Sequence, residues 1–139
     1  MHKFAAIEVI FSVRKTDLVN HVAGYIQFNE IETNIGAIFD YLIYFRVPIS
    51  GVYKFSFVGT SGYPNPAPNV GTNFTMVNVE RNRMNSFIIS SDNPEEQWHV
   101  GNTLSSTWIW NMEKNEKVSF YIPDNTPMTA TAQWRIDSY

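Results

Sequence analysis

Apolar and polar residues alternate with a period of two along most of this chain, and no stretch sustains the 3.6-residue period of an amphipathic helix. In Val52-Tyr53-Lys54-Phe55-Ser56-Phe57, the aromatic side chains Tyr53, Phe55 and Phe57 fall on one face, and Lys54 and Ser56 on the other. Trp108, Trp110 and Met112 share a face in the same way, as do Val118, Phe120 and Ile122, and Ile7, Val9, Phe11 and Val13. Residues 21–28, 41–47, 74–81, 85–90 and 129–137 read as further strands. Successive side chains leave a strand on opposite faces, so alternation of this kind marks half-buried β-structure. The pattern predicts an all-β chain.

The punctuation between these runs agrees. Six of the seven prolines, Pro64, Pro66, Pro68, Pro94, Pro123 and Pro127, lie in turn-like stretches or at strand ends, where a missing N–H is tolerated. The X-Pro repeats of residues 61–69 favour an extended, polyproline-like path and read as a surface loop. A domain boundary there would leave two halves too small to be stable without cross-links. A single domain over residues 1–139 is therefore expected, and its many short strands point to a sandwich or jelly roll.

Composition narrows the function. With 139 residues, 44% of them hydrophobic and only 17% charged, the chain can bury a core and is not intrinsically disordered. Its 13 carboxylates against 10 Lys and Arg argue against a nucleic-acid binder working by phosphate neutralisation. The basic residues also fail to cluster along the sequence beyond Arg14–Lys15 and the Arg81/Arg83 pair. Cysteine is absent, which removes thiol catalysis, Cys-based zinc sites and disulfides together. No apolar run reaches the roughly 18 residues of a spanning helix. Glu8 interrupts the apolar start, so these first residues read as folded protein, and the leader of an exported product would lie outside this sequence.

The spacing Phe28-x5-Asn34-x4-Phe39-x5-Phe45-x5-Gly51, closing on Gly51-Val52-Tyr53-Lys54-Phe55-Ser56-Phe57, resembles the signature of the C1q domain, the globular head of the C1q/TNF superfamily. The closing motif agrees in full. The Phe39–Phe45 interval is one residue shorter than the family's usual spacing, which implies a tighter hairpin. Phe11-Ser12-Val13 resembles the family's first strand. Val77-Asn78-Val79-Glu80-Arg81-Asn82 resembles the strand that ends in an Asn-led turn, here Asn-Arg where Asn-Gly is common. Residues 105–112 followed by Asn115-Glu116-Lys117-Val118 resemble a Ser-rich strand leading into a Gly-Asp-x-Val turn, with Asn and Glu substituted. Near the C-terminus the family's Phe-x-Gly-Phe is not kept, and Trp134-Arg135-Ile136 stands in its place. The resemblance implies a jelly-roll sandwich of two antiparallel sheets that assembles as a homotrimer and is secreted. Some of the aromatic area of Phe39, Tyr41, Tyr44, Phe45, Tyr53, Phe55, Phe57, Trp108 and Trp110 is then expected at a subunit interface, the competing reading being that all of it is monomer core.

No catalytic constellation is legible. His2, His21 and His99 are neither i, i+4 nor His-x-His, so no zinc motif is present, and no Ser stands in Gly-x-Ser-x-Gly. The chain reads as a non-enzyme. Stand-alone C1q-like proteins of innate immunity suggest a lectin-like module that binds glycans or microbial surface molecules, with a non-lectin protein-ligand or structural trimerisation head as the alternative. Trp98 and His99, in a polar loop, and Tyr63, in the proline loop, are the candidate ligand contacts. Several C1q-type heads hold calcium through loop carboxylates, and Asp92, Glu95 and Glu96 offer hard oxygen ligands of that kind. A solvated acidic loop is the competing reading of those three.

Overall fold

The cleanest alternating run of the sequence lies within the longest strand of the fold. In the computed structural model, which describes residues 8–16, 24–61, 74–92, 103–123 and 128–136, eleven strands follow in chain order. At residues 61, 74, 75, 91, 92, 103 and 128 the description is of backbone only. The strands are β1 (Ile10–Lys15), β2 (Gly24–Tyr25), β3 (Glu30–Ile35), β4 (Ile38–Asp40), β5 (Tyr44–Arg46), β6 (Gly51–Ser61), β7 (Phe74–Arg81), β8 (Met84–Asp92), β9 (Thr103–Met112), β10 (Lys117–Ile122) and β11 (Met128–Ile136). One sheet runs β3-β1-β11-β6-β9 and the other β4-β5-β10-β7-β8, with β2 also pairing β10, and every pairing is antiparallel. The first and last strands lie side by side in one sheet, and β6 sits between β11 and β9. This non-sequential order, in two facing sheets, is that of a jelly roll.

The inward faces of the two sheets meet in an aromatic core. Phe11, Tyr53, Phe55, Phe57 and Trp134 from the five-stranded sheet, and Phe45 and Phe120 from the other, are all essentially sealed from solvent. Rings from opposite sheets interlock: Phe57 lies 4.7 Å from Phe120, Phe11 5.3 Å from Phe45, and Phe45 5.5 Å from Trp134. Such edge and tilted contacts add to the area each ring buries. Trp134, which replaces the expected C-terminal motif, sits at the centre of this cluster and also stacks on Tyr53 at 5.4 Å.

The resemblance residues have structural positions that explain their types. Phe28, Phe39 and Phe45 form one cluster, with Phe39 and Phe45 directly paired across the β4–β5 hairpin and 4.9 Å apart. Asn34 Oδ1 accepts the Ala37 N–H at 3.1 Å, fixing the turn from β3 into β4. Gly51 opens β6, where an added Cβ would stand 3.0 Å from Ile136 Cδ1. Tyr53, Phe55 and Phe57 then follow as the inward face of β6, and the Tyr53 hydroxyl donates to the Ile49 carbonyl at 2.7 Å.

Three expectations need correction. Of residues 21–28, only Gly24–Tyr25 is strand among the described ones: Ile26 and Phe28 are buried, but single backbone bonds to Phe120 and Leu42 hold them instead of a ladder. Residues 41–43 are a turn and not the start of a strand, with Tyr41 and Leu42 at φ 57° and 61°. The strands β3 and β4 were not foreseen. Glu30-Ile31-Glu32-Thr33-Asn34-Ile35 shows no buried face because β3 is a sheet edge, where the pattern that marks a strand is absent. Among the described residues there is no helix, hence none long and apolar enough to cross a membrane.

Candidate functional site

The residues singled out for ligand contact and metal binding lie mostly beyond what the structure describes. Tyr63, Glu95, Glu96, Trp98 and His99 fall outside the described residues, and Asp92 is described only as the backbone that ends β8 opposite Phe74. Among the described residues, no three of His, Asp and Glu come together as a group that could hold a metal ion.

The feature that stands out is the outward face of the five-stranded sheet. Its register aligns Ile35, Ile10, Arg135, Lys54 and Ile109 in one row across all five strands. The next row runs Thr33, Ser12, Gln133, Ser56 and Thr107, and the one after it carries Arg14, Thr131, Val58 and Ser105. Ile10, Ile35, Val52, Val58 and Ile109 are exposed here, Ile109 at 58% and Val58 at 47%. The face therefore joins large aliphatic side chains to a polar centre. β9, at its edge, has no charged residue of its own in Thr103-Leu104-Ser105-Ser106-Thr107-Trp108-Ile109-Trp110-Asn111-Met112, and Arg81 of the other sheet donates to its Asn111 carbonyl at 2.9 Å.

A groove of about 580 Å³ lies in the middle of this face, over Ser12, Glu32, Lys54, Ser56, Gln133 and Arg135. At one end the Ser12 hydroxyl donates to Glu32 Oε1 and accepts from Gln133 Nε2, each at 3.2 Å. Arg14 Nη1 stands 3.9 Å from both Glu30 and Glu32 and balances that end. At the other end, Lys54 and Arg135 face one another across the β6–β11 ladder. The sequence offered no sign of this pair, because strand register, which brings distant residues together, is not written in residue spacing. The pattern did signal that each points outward, as each alternates with buried aromatics.

The opposite sheet carries a closed tyrosine cluster on its outward side. Tyr25 lies 5.2 Å from Tyr121 and 5.6 Å from Tyr44, and its hydroxyl donates to Glu80 Oε1 at 2.7 Å. Burial, reinforced by the Glu80 carboxylate, pushes the Tyr25 phenol up to about 12. Lys117 Nζ sits over the Tyr44 ring at 5.4 Å. These groups satisfy one another and leave no open chemistry.

Most of the aromatic residues named for core or interface have partners within the chain itself. Tyr53, Phe55 and Phe57 are core, Phe39, Trp108 and Trp110 pack against it, and Tyr44 belongs to the cluster just described. Only Tyr41, 81% exposed on the β4–β5 turn, is left free. Exposed aliphatic side chains lie on both sheets, with Ile88 and Met84 on β8 and the larger group on the five-stranded sheet.

No family model matches this sequence, and no curated protein does. Solved structures match closely in shape. The globular domain of zebrafish complement 1qA protein superposes with a TM-score of 0.71 at 16% identity, covering 91% of this chain and 94% of that one. Murine APRIL gives 0.67 at 12% identity over 93% and 99% of the two chains. The Eiger TNF of S. frugiperda gives 0.63 at 12% identity over 95% and 92%. At such identities the likeness is one of fold: the chain is a jelly roll of the C1q/TNF type.

Proposed function

We propose that this C1q/TNF-like domain works by assembly and recognition, without catalysis. In this reading, copies associate as a homotrimer through the outward face of the five-stranded sheet, outside the cell, and present their loop ends together as a multivalent head. The observation that carries the proposal is the set of exposed aliphatic residues on that face, Ile35 and Ile10 toward one edge and Ile109, Val52 and Val58 toward the other, with Arg135 and Lys54 between them. Exposed aliphatic side chains gathered on one face, around a polar and cationic centre, have the composition of a contact surface with an apolar periphery. A ligand that repeats, such as a glycan or microbial surface molecule, suits such a head, because three shallow sites gain orders of magnitude in apparent affinity when engaged together. Trp98, His99 and Tyr63 are proposed as the contacts, with Asp92, Glu95 and Glu96 as calcium ligands in support.

Two measurements test the two halves. Sedimentation velocity should give a trimer for the native chain and a monomer of unchanged circular dichroism for Ile109→Gln; a native monomer at tens of micromolar would sink the assembly reading. A glycan and polysaccharide array run with calcium and with EDTA tests recognition. Saturable binding lost in Trp98→Ala supports it, and a blank array in both buffers moves the function to a protein ligand or a purely structural head.

A further inference from the structure

Lys54 and Arg135 occupy directly opposed positions on β6 and β11 and share the outward face. Like charges so placed repel and weaken a sheet. On the same face Arg14 is matched by Glu30 and Glu32, and on the other sheet Arg46 is matched by Asp40 and Arg81 by Glu116. Among the described residues, no carboxylate lies within ion-pair distance of Lys54 or Arg135. Both line the groove, and so do Ser56 and Thr107, whose hydroxyls bond to no other described group. Glu32, the carboxylate in the groove, is held at the far end by Arg14 and Ser12. The groove thus joins a cation pair that has no counter-ion among the described residues to a polar floor formed by Ser12, Gln133, Ser56 and Thr107.

We propose that this groove binds a small polar molecule bearing an oxyanion, a sulfate or phosphate ester. Its charged group sits between Lys54 and Arg135, and its hydroxyl-bearing body lies along the Ser12–Gln133–Ser56–Thr107 row. Volume supports a body as well as a charge, because about 580 Å³ falls within the roughly 300–1,000 Å³ of small-molecule sites and far exceeds one inorganic ion. Guanidinium and ammonium donors form charge-assisted bonds to oxyanions, and the planar guanidinium can do so with two parallel N–H groups. The bound anion also removes the Lys54–Arg135 repulsion, so binding stabilises the fold that presents it. This inference goes beyond the assembly reading. It places the ligand on the face assigned there to subunit contact, where association would enclose it.

Titration calorimetry on the full chain, at fixed ionic strength, tests the site with glucose 6-phosphate, glucose 6-sulfate, inorganic phosphate and glucose. Both esters should bind, glucose should bind weakly or not at all, and Lys54→Met and Arg135→Met should each weaken the esters by roughly tenfold or more. The melting temperature of each variant checks the fold: without ligand it should equal or exceed that of the native chain, and with ester it should rise less. Ester binding no tighter than that of glucose, or untouched by either substitution, overturns the site. Esters that bind no better than inorganic phosphate overturn the extended groove. Sedimentation in the same samples separates the two proposals. A trimer that binds no ester removes this one alone, while a monomer that binds ester supports it and removes assembly alone.

Discussion

Glu116 accepts hydrogen bonds from Arg81 Nη2 and the Glu113 N–H at 2.7 Å on one oxygen, and from Asn82 Nδ2 at 2.7 Å and Arg81 Nε at 3.1 Å on the other. The Arg81 guanidinium is the main reason its carboxyl is held down at about 2, against partial burial that works the other way. A carboxylate depressed in the folded state stabilises it fully above its unfolded value near 4.3, and loses that contribution as pH falls through the folded value. Urea unfolding of the native chain should therefore weaken steadily from about pH 5 to pH 2, and Glu116→Gln should flatten part of that slope. At pH 7 the same substitution should cost on the order of 2 kcal/mol, as expected when a charged hydrogen-bond partner is removed. The bond set ties the β7–β8 turn to the β9–β10 turn, since Asn82 also accepts the Lys117 N–H and donates its own N–H to the Lys117 carbonyl. Asn115 in that second turn stands at φ 74°, which asparagine tolerates and alanine does not. Asn115→Ala should cost about 1 kcal/mol, and Asn115→Gly only a few tenths, in the same unfolding assay.

Turns are where the sequence was least legible, and strand interiors where it was most so. The inward faces of β6, β9 and β10 follow from alternation alone, because each strand presents one side to a core and the other to water. β3 gave no such signal, since an edge strand with glutamates on it buries neither face. The β4–β5 hairpin escaped for a different reason. Its turn, Tyr41-Leu42-Ile43, contains no Gly, Asn or Asp, although Tyr41 and Leu42 both adopt left-handed backbone. Asparagine tolerates that conformation, so Tyr41→Asn should raise stability by about 0.5 kcal/mol, read as an upward shift of the denaturation midpoint. Gly36, between β3 and β4, argues the opposite case. It has φ +73°, and an added Cβ would lie 3.0 Å from the Glu8 carbonyl oxygen, which is backbone and cannot step aside. Gly36→Ala should cost more than about 1 kcal/mol. Of the candidate groove, each outward residue was legible as outward. That Lys54 meets Arg135, and Ile10 meets Ile35, required the register, which long-range pairing sets and local spacing does not.

As a whole, the molecule divides its apolar surface unevenly between its two sheets. The six-stranded sheet covers much of its outward side with tyrosines, Glu80 and Lys117 that partner one another, and leaves Ile88 and Met84 of β8 exposed at its edge. The five-stranded sheet leaves Ile10, Ile35, Val52, Val58 and Ile109 in water. Burying an aliphatic side chain stabilises by roughly 1.5–3 kcal/mol relative to exposure, so covering this face offers several kcal/mol that an isolated chain forgoes. Association that draws on it must couple folding to concentration, because a partner that binds only the folded chain shifts its unfolding by mass action. The native melting temperature should then climb by several degrees between about 1 and 100 µM protein, whereas Ile109→Gln should melt at a concentration-independent temperature. The sign of the comparison at low concentration matters as much. An isolated chain gains little from Ile109, which is 58% exposed, and glutamine adds no charge beside Lys54, so the variant should nearly match the native protein where both are monomers and fall behind only as the native protein assembles. A variant that melts lower at every concentration would place Ile109 in the monomer's own core, and the outward face would no longer be the surface where copies meet.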